Sequence, residues 1–299
     1  MTRRAVVTGG TGGIGLRTAL GLAAAGHAVT VVGRNAERGA EAVARIAAVA
    51  TAEPPRFLPA DLASLGAVRE LAGQLADEGP LTVLVNNVGT FATARRLTAD
   101  GVEAMFAVNH LSPYLLTELL VDTLVASKDA RVVNVSSGAV QAASRQGFDT
   151  VEPRGGYYAF HWYGRAKLAN LAWTLELADR LRDRGVGVLA ADPGGAATEM
   201  TDSTMTRPAI VHPAMRPLWP VLRRVFARST AGPAQVAARS SIAAATDPAF
   251  AGKTGLLLGP DCTPTTPHRR STDPATARAV LELSRRLAPL AEPTPSAPS

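Results

Sequence analysis

Cysteine is nearly absent: Cys262 is the only one in 299 residues. No internal disulfide can form, and a cysteine zinc site has too few ligands, so no metal is expected. Lysine is scarce too, with Lys128, Lys167 and Lys253 set against 28 arginines. The net charge of +6 would suit a nucleic-acid partner, but aromatic residues make up only 5%. The arginines also lie scattered, often beside acids, as in Glu37-Arg38 and Asp179-Arg180. Without a clustered basic face interleaved with aromatics, nucleic-acid binding is not expected. No apolar run approaches the roughly 18 residues of a membrane span. Thr2-Arg3-Arg4 leads into a short apolar run and a glycine cluster, without a small-residue cleavage ending, so no signal peptide is expected. Together these absences predict a cytoplasmic protein.

What is present is an alternation. Short β-branched runs at 5–7, 29–32, 56–58, 81–85, 131–135, 186–190 and 255–258 are separated by longer alanine- and leucine-rich stretches of helical character. Among these are helices expected from Gly13 to Ala25 and from about Ala36 to Ala50. Most of the short runs are continuously apolar, as parallel strands covered on both faces must be. This rhythm predicts an α/β fold, a Rossmann-type doubly wound parallel sheet in a single domain over residues 1–286. The apolar content of 46% is ample for its core. Residues 287–299, rich in Pro, Ala and Ser, are expected to be a disordered tail. Between Thr198 and Gln235 the rhythm breaks at Pro208, Pro213, Pro217 and Pro220, amid Met200, Met205, Met215, Trp219 and Phe226. Residues of about 199–234 are expected to form a substrate lid. Leu218 to Arg228 also reads as a basic amphipathic helix, which leaves a partner interface or a membrane surface open.

The first strand runs into Thr8-Gly9-Gly10-Thr11-Gly12-Gly13-Ile14-Gly15, which opens a helix. Glycines there allow a tight turn and let backbone amides approach a pyrophosphate, where the helix dipole favours negative charge. Strand before, helix after and a position near the N-terminus are the context a dinucleotide site requires.

The spacing of Thr8, Gly9, Gly13 and Gly15 resembles the short-chain dehydrogenase/reductase family, and the resemblance continues through most of the chain. Asp61-Leu62 looks like the family's adenine-contacting pair, and Asn86-Asn87-Val88-Gly89 like its Asn-Asn-Ala-Gly motif. Asn109 matches the helix asparagine, Asn134-Val135-Ser136-Ser137 the serine motif, and Tyr163 with Lys167 the Tyr-x-x-x-Lys pair. Pro193-Gly194 and Thr198 match the turn and threonine near the nicotinamide. Lys167-Leu168-Ala169-Asn170-Leu171 and the closing segment to Leu287 resemble the retinol dehydrogenase and protochlorophyllide reductase branch. The 26-residue interval from Ser137 to Tyr163 fits that branch as well. Implied is an oxidoreductase with Asn109, Ser137, Tyr163 and Lys167 as its catalytic residues. Implied at the cofactor are Gly9, Thr11, Gly12, Gly13, Ile14 and Gly15 of the turn. Asp61, Leu62, Asn87, Gly89, Pro193, Gly194 and Thr198 join them, as do Tyr163 and Lys167.

Two readings of the residues sharpen this. Gly33-Arg34-Asn35 follows the second strand where NAD-specific folds usually carry an acid, and Arg34 suits a 2′-phosphate instead, with Arg38 one turn on. The cofactor is therefore expected to be NADP(H). Positions four apart share a helix face, so Tyr163 and Lys167 can enter one cleft, where an ammonium and the nicotinamide's positive charge would lower the phenol's pKa from its usual value of about 10. By the family resemblance, Asn109 is expected to hold a water linking Lys167 to solvent. Ala166 departs from the serine common before the lysine, and His110 and His161 are expected to be structural. The predicted activity is carbonyl–alcohol interconversion on a lipophilic small molecule. Reduction of a conjugated double bond and a non-catalytic NADP(H)-binding regulator are the alternatives. A homo-oligomer is compatible with all of these.

Overall fold

The computed structural model describes residues 2–143, 147–152, 156–195, 208–229 and 232–291. Seven strands alternate with helices as the sequence rhythm requires. In order they are β1 (Arg4–Thr8), α1 (Gly13–Ala24), β2 (Ala28–Gly33), α2 (Ala36–Ala47), β3 (Arg56–Pro59), α3 (Leu65–Asp77) and β4 (Val83–Asn86). A composite helix follows: α4 (Ala104–Phe106), a π-helical turn over Ala107–Leu111, and α5 (Ser112–Leu119). After α6 (Val121–Val125) come β5 (Ala130–Val135), α7 (Ala159–Leu181), β6 (Val186–Ala191) and β7 (Leu256–Leu258). An eighth strand, β8 (Pro264–Thr265), pairs antiparallel with β7. The sequence reading missed it because two residues are too few for any period to show.

The sheet order is β3-β2-β1-β4-β5-β6-β7-β8, and every pairing except the last is parallel. The doubly wound expectation holds. Strand order reverses between β1 and β4, and in such sheets ligands bind at the carboxyl ends beside that switch. The central strands β4 and β5 are buried at every position, which is why they are mostly apolar, with Asn86, Arg131 and Asn134 as buried exceptions. The proline-flanked β3 sits at the edge, where a missing N–H does no harm.

Each sheet face has its own core. On one, Leu71, Leu75, Leu111, Leu115 and Trp173 bring α3, α5 and α7 together. On the other, Leu16, Leu22 and Ile46 of α1 and α2 meet Ala244 of the helix Arg239–Thr246. His110 belongs to the first: its Nε2 lies 2.7 Å from Ser284 Oγ of the C-terminal helix Pro274–Leu287. That helix carries the chain into the region expected to be a tail. Leu287 is its last residue, Ala288 is buried, and Arg69 donates to the carbonyls of Pro289 and Leu290. Residues 292–299 lie outside the described residues.

Two buried histidines make the fold acid-sensitive. Burial lowers His110 to about 3 and His27 to about 4, with Arg3 and Arg131 adding to the second. The unfolded chain binds these protons near pH 6.5 while the folded chain refuses them. Stability is thus complete above pH 6.5 and falls as pH drops towards 4. Urea unfolding at pH 7 and pH 4.5 should show the loss. In His27→Leu the loss should be smaller by about 2–3 kcal/mol.

Candidate functional site

The carboxyl ends of the strands open onto a cleft of about 1140 Å³. That exceeds the ~300–1,000 Å³ typical of a pocket for one small molecule. At one end lies the glycine turn. Gly9 has φ +64°, the left-handed region that glycine enters without strain, and a Cβ on Gly15 would overlap the Gly9 carbonyl oxygen. Asn87 braces the turn from β4, donating from Nδ2 to the carbonyls of Thr8 at 3.0 Å and Gly9 at 3.2 Å. The Thr8 hydroxyl accepts from the backbone N–H of Asn87 and of Val88, each at 3.1 Å.

The helix behind this turn is unlike its neighbours. Asn35 Oδ1 caps α2 at 2.9 Å and Ser64 Oγ caps α3 at 3.3 Å. At α1 the N-cap is Gly12, with no side-chain cap and no acid in the first turn. Gly13 and Ile14 of that turn line the cleft. Their amides are therefore left for an anion, and the dipole favours one. Arg34 and Arg38 stand exposed at the same end and line the cleft with Thr11. The Arg38 guanidinium lies over Gly12, where a Cβ would come within 2.5 Å of Nη2. Asp61, Leu62 and Gly89 line the cleft as well. This end fits a dinucleotide with an extra phosphate: a donor-rich, glycine-lined cradle flanked by two guanidinium groups.

At the other end α7 crosses β5. Lys167 is buried, and its Nζ donates to the Val135 carbonyl at 2.9 Å, at the last residue of β5. One turn earlier Tyr163 is buried with its phenol hydrogen-bonded to the Ser137 hydroxyl, and Lys167 Nζ is 5.9 Å from its ring centroid. Ser137 Oγ also accepts from Ala139 N–H at 3.2 Å. Phe91 meets the Tyr163 ring edge-on at 5.5 Å. Pro193 and Gly194 line the cleft after β6, where Gly194 N–H donates to Asp192 Oδ1 at 2.9 Å. Thr198 lies outside the described residues.

Two expectations need correction. Burial drives the Tyr163 phenol up to about 12, against the pull of its Ser137 hydrogen bond, and Asp192 adds to the rise. Desolvation dominates. Burial likewise lowers Lys167 to about 8, with Asp192 opposing. Asn109 does not line the cleft, nor is its side chain poised for a water. Nδ2 donates to the carbonyls of Thr90 at 2.9 Å and Met105 at 2.7 Å, and Oδ1 accepts from Thr90 N–H at 3.1 Å. It pins the loop after β4 to the π-helical turn. His161 contacts the Ala142 carbonyl through Nδ1 at 2.8 Å, and like His110 it does not line the cleft.

Phe91 and Asp192 are the site's additions. No sequence signal marked Phe91, since only the fold brings its ring to Tyr163. Asp192 was visible beside Pro193 but not its field on Tyr163 and Lys167. Of the expected lid, Ile210 and Val211 are buried against the cluster holding Phe91 and Tyr163, with Trp219 and Leu222 half-buried on it.

The profile of the short chain dehydrogenase family matches residues 3–209. Retinol dehydrogenase 12 of Mus musculus is 38% identical over 197 residues, 66% of this chain and 62% of that protein. The WW domain-containing oxidoreductase of Homo sapiens is 34% identical over 290 residues, 94% of this chain and 67% of that protein. The match thus spans about two thirds of these curated relatives. Among solved structures, a short chain dehydrogenase from Burkholderia cenocepacia in complex with NADP superposes with a TM-score of 0.66. It is 28% identical, over 86% of this chain and 95% of that one.

Gly12, the N-cap of α1, and Gly15 within it should respond differently to alanine. Gly15→Ala forces the Gly9 turn apart and should cost about 1–3 kcal/mol, a Tm drop of several degrees. Gly12 has extended backbone and faces only the tip of Arg38, so Gly12→Ala should melt close to wild type. Thermal melts of the two variants test the pair.

Proposed function

This chain belongs to the short-chain dehydrogenase family, on its retinol dehydrogenase-like branch, and we propose that it is an NADP(H)-dependent oxidoreductase interconverting a carbonyl and an alcohol on a lipophilic small molecule. One observation carries this reading: half-buried Ser137 and buried Tyr163 and Lys167 share their cleft with an uncapped, glycine-lined helix start. Gly9, Thr11, Gly12, Gly13, Ile14 and Gly15 would hold the pyrophosphate side of the cofactor. Asp61, Leu62, Asn87 and Gly89 would hold its middle, and Pro193, Gly194 and Thr198 the nicotinamide end. Bound NADPH supplies a hydride.

The protein's residues do the rest. The Ser137 hydroxyl donates to the substrate oxygen and orients the carbonyl. Tyr163 gives its phenolic proton to that oxygen as negative charge develops there. At pH 7 this buried phenol is protonated, the form that a reduction consumes. Lys167, fixed by the Val135 carbonyl, stabilises the phenolate left behind. Asn109 acts as a positioning residue, holding the loop that carries Phe91. The apolar lining of Phe91, Val108, Ala139 and Phe160 supports a lipophilic substrate; of the lid expected over 199–234, residues 199–207 and 230–231 lie outside the described residues. No helix among the described residues is long and apolar enough to cross a membrane, which with one free cysteine suits the cytoplasm.

Tyr163→Phe removes only the hydroxyl. Turnover of ketones or aldehydes, followed at 340 nm, should fall at least about a hundredfold while the NADPH Kd stays within a few-fold of wild type. Retained turnover overturns the mechanism.

Cofactor choice rests on Arg34, whose guanidinium can engage a 2′-phosphate bidentately. Its exposure reduces the effect to about tenfold in the ratio of kcat/KM for NADPH over NADH. Arg34→Ala should lose that ratio and leave NADH turnover nearly unchanged. An unchanged ratio assigns the selectivity elsewhere.

A further inference from the structure

The cleft carries a cation that the proposed chemistry does not use. Arg95 and Arg96 are neighbours in the loop after β4, and the fold treats them differently. Arg95 pairs with Glu152 at 2.5 Å, and neither residue lines the cleft. Arg96 is exposed, lines the cleft, and makes no hydrogen bond or ion pair through its side chain among the described residues. The loop's side is fixed by two contacts: Tyr157 Oη donates to the Ala92 carbonyl at 2.8 Å, and the Phe91 ring meets Tyr163. Beyond these contacts the loop reaches α4, where the Arg96 carbonyl accepts from Ala104 N–H at 2.9 Å, and Ala104 and Val108 of that stretch line the cleft with it. Gln141, on the 3-10 turn Gly138–Ala142, lines the same cleft, and its side-chain amide has no partner among the described residues. The acids of the cleft, Asp61 and Asp192, form no ion pair with Arg96.

A guanidinium and an amide that line the cleft beside Phe91 and Phe160 are recognition groups without a side-chain partner among the described residues. We propose that Arg96, assisted by Gln141, is an anion subsite for the carboxylate of an amphipathic substrate. The apolar body of that substrate lies on Phe91 and Phe160, and its carbonyl reaches Ser137 and Tyr163. This rests on the carbonyl reading above and narrows the substrate class to oxo acids with an apolar chain. A carboxylate fits better than a phosphate ester, because its single charge and two planar oxygens match one guanidinium fork. The phosphate's near-double charge would leave the second charge unmatched.

Calorimetric titration of the full chain with decanoate and decanol tests the subsite without requiring turnover. Wild type should bind decanoate about tenfold more tightly than decanol, a preference that shrinks as salt screens the exposed guanidinium. Arg96→Lys should keep most of the preference, and Arg96→Glu should abolish or invert it. Equal binding of the two ligands, binding of neither, or a preference that Arg96→Glu leaves intact overturns the proposal. The expected binding pattern without NADPH oxidation by an aldehyde-bearing decanoic acid would support the subsite and count against carbonyl reduction.

Discussion

A chain of buried hydrogen bonds crosses from the sheet to α7 and sets where the site's groups stand. Asn86 Nδ2 of β4 donates to Asn134 Oδ1 of β5 at 2.8 Å and to Thr117 Oγ1 at 2.9 Å. Asn134 Nδ2 donates in turn to Thr174 Oγ1 of α7 at 2.8 Å, and Thr174 bonds back to the Asn170 carbonyl. All of these residues are buried, where an unmet polar group would cost about 1–3 kcal/mol. The helix can therefore neither slide nor rotate on the sheet without breaking a bond that water cannot replace. Thr174 lies two turns beyond Lys167 on the same helix face, so fixing one fixes the other. The Lys167–Val135 contact is the last rung of the same ladder, and it delivers Tyr163 to Ser137.

The cleft also shows how the fold distributes polar capacity. The neighbouring helices α2 and α3 begin with a side-chain cap, Asn35 and Ser64, that takes up one of the free amides of the first turn. At α1 the glycines withhold that cap, and the open donors face the region flanked by Arg34 and Arg38. Buried groups at the other end are held in unreactive states by the same burial that orders them. The Tyr163 phenol sits high and the Lys167 ammonium low, each pressed towards neutrality by desolvation. Charge developing on a bound substrate is what such a site is built to answer.

Much of this was legible in the chain itself, for reasons that are local. Parallel strands covered on both faces are predominantly apolar, so β4, β5 and β6 announced themselves. A left-handed turn and a close helix approach demand glycine, so Gly9 and Gly15 marked the nucleotide end. Four-residue spacing on a helix brings Tyr163 and Lys167 to one face whatever the rest does. What the tertiary structure alone decided is non-local. The π-helical turn at Ala107–Leu111 and the loop after β4 turn the Asn109 amide to Thr90 and Met105, which no spacing rule foresees. The pKa of Tyr163 is a sum over everything packed around it, and burial won. Arg95 and Arg96 are identical neighbours in sequence, yet one is spent on Glu152 and the other faces the cleft. Periodicity and backbone conformation are properties of a few consecutive residues, whereas burial and electrostatic partnership belong to residues that only folding brings together.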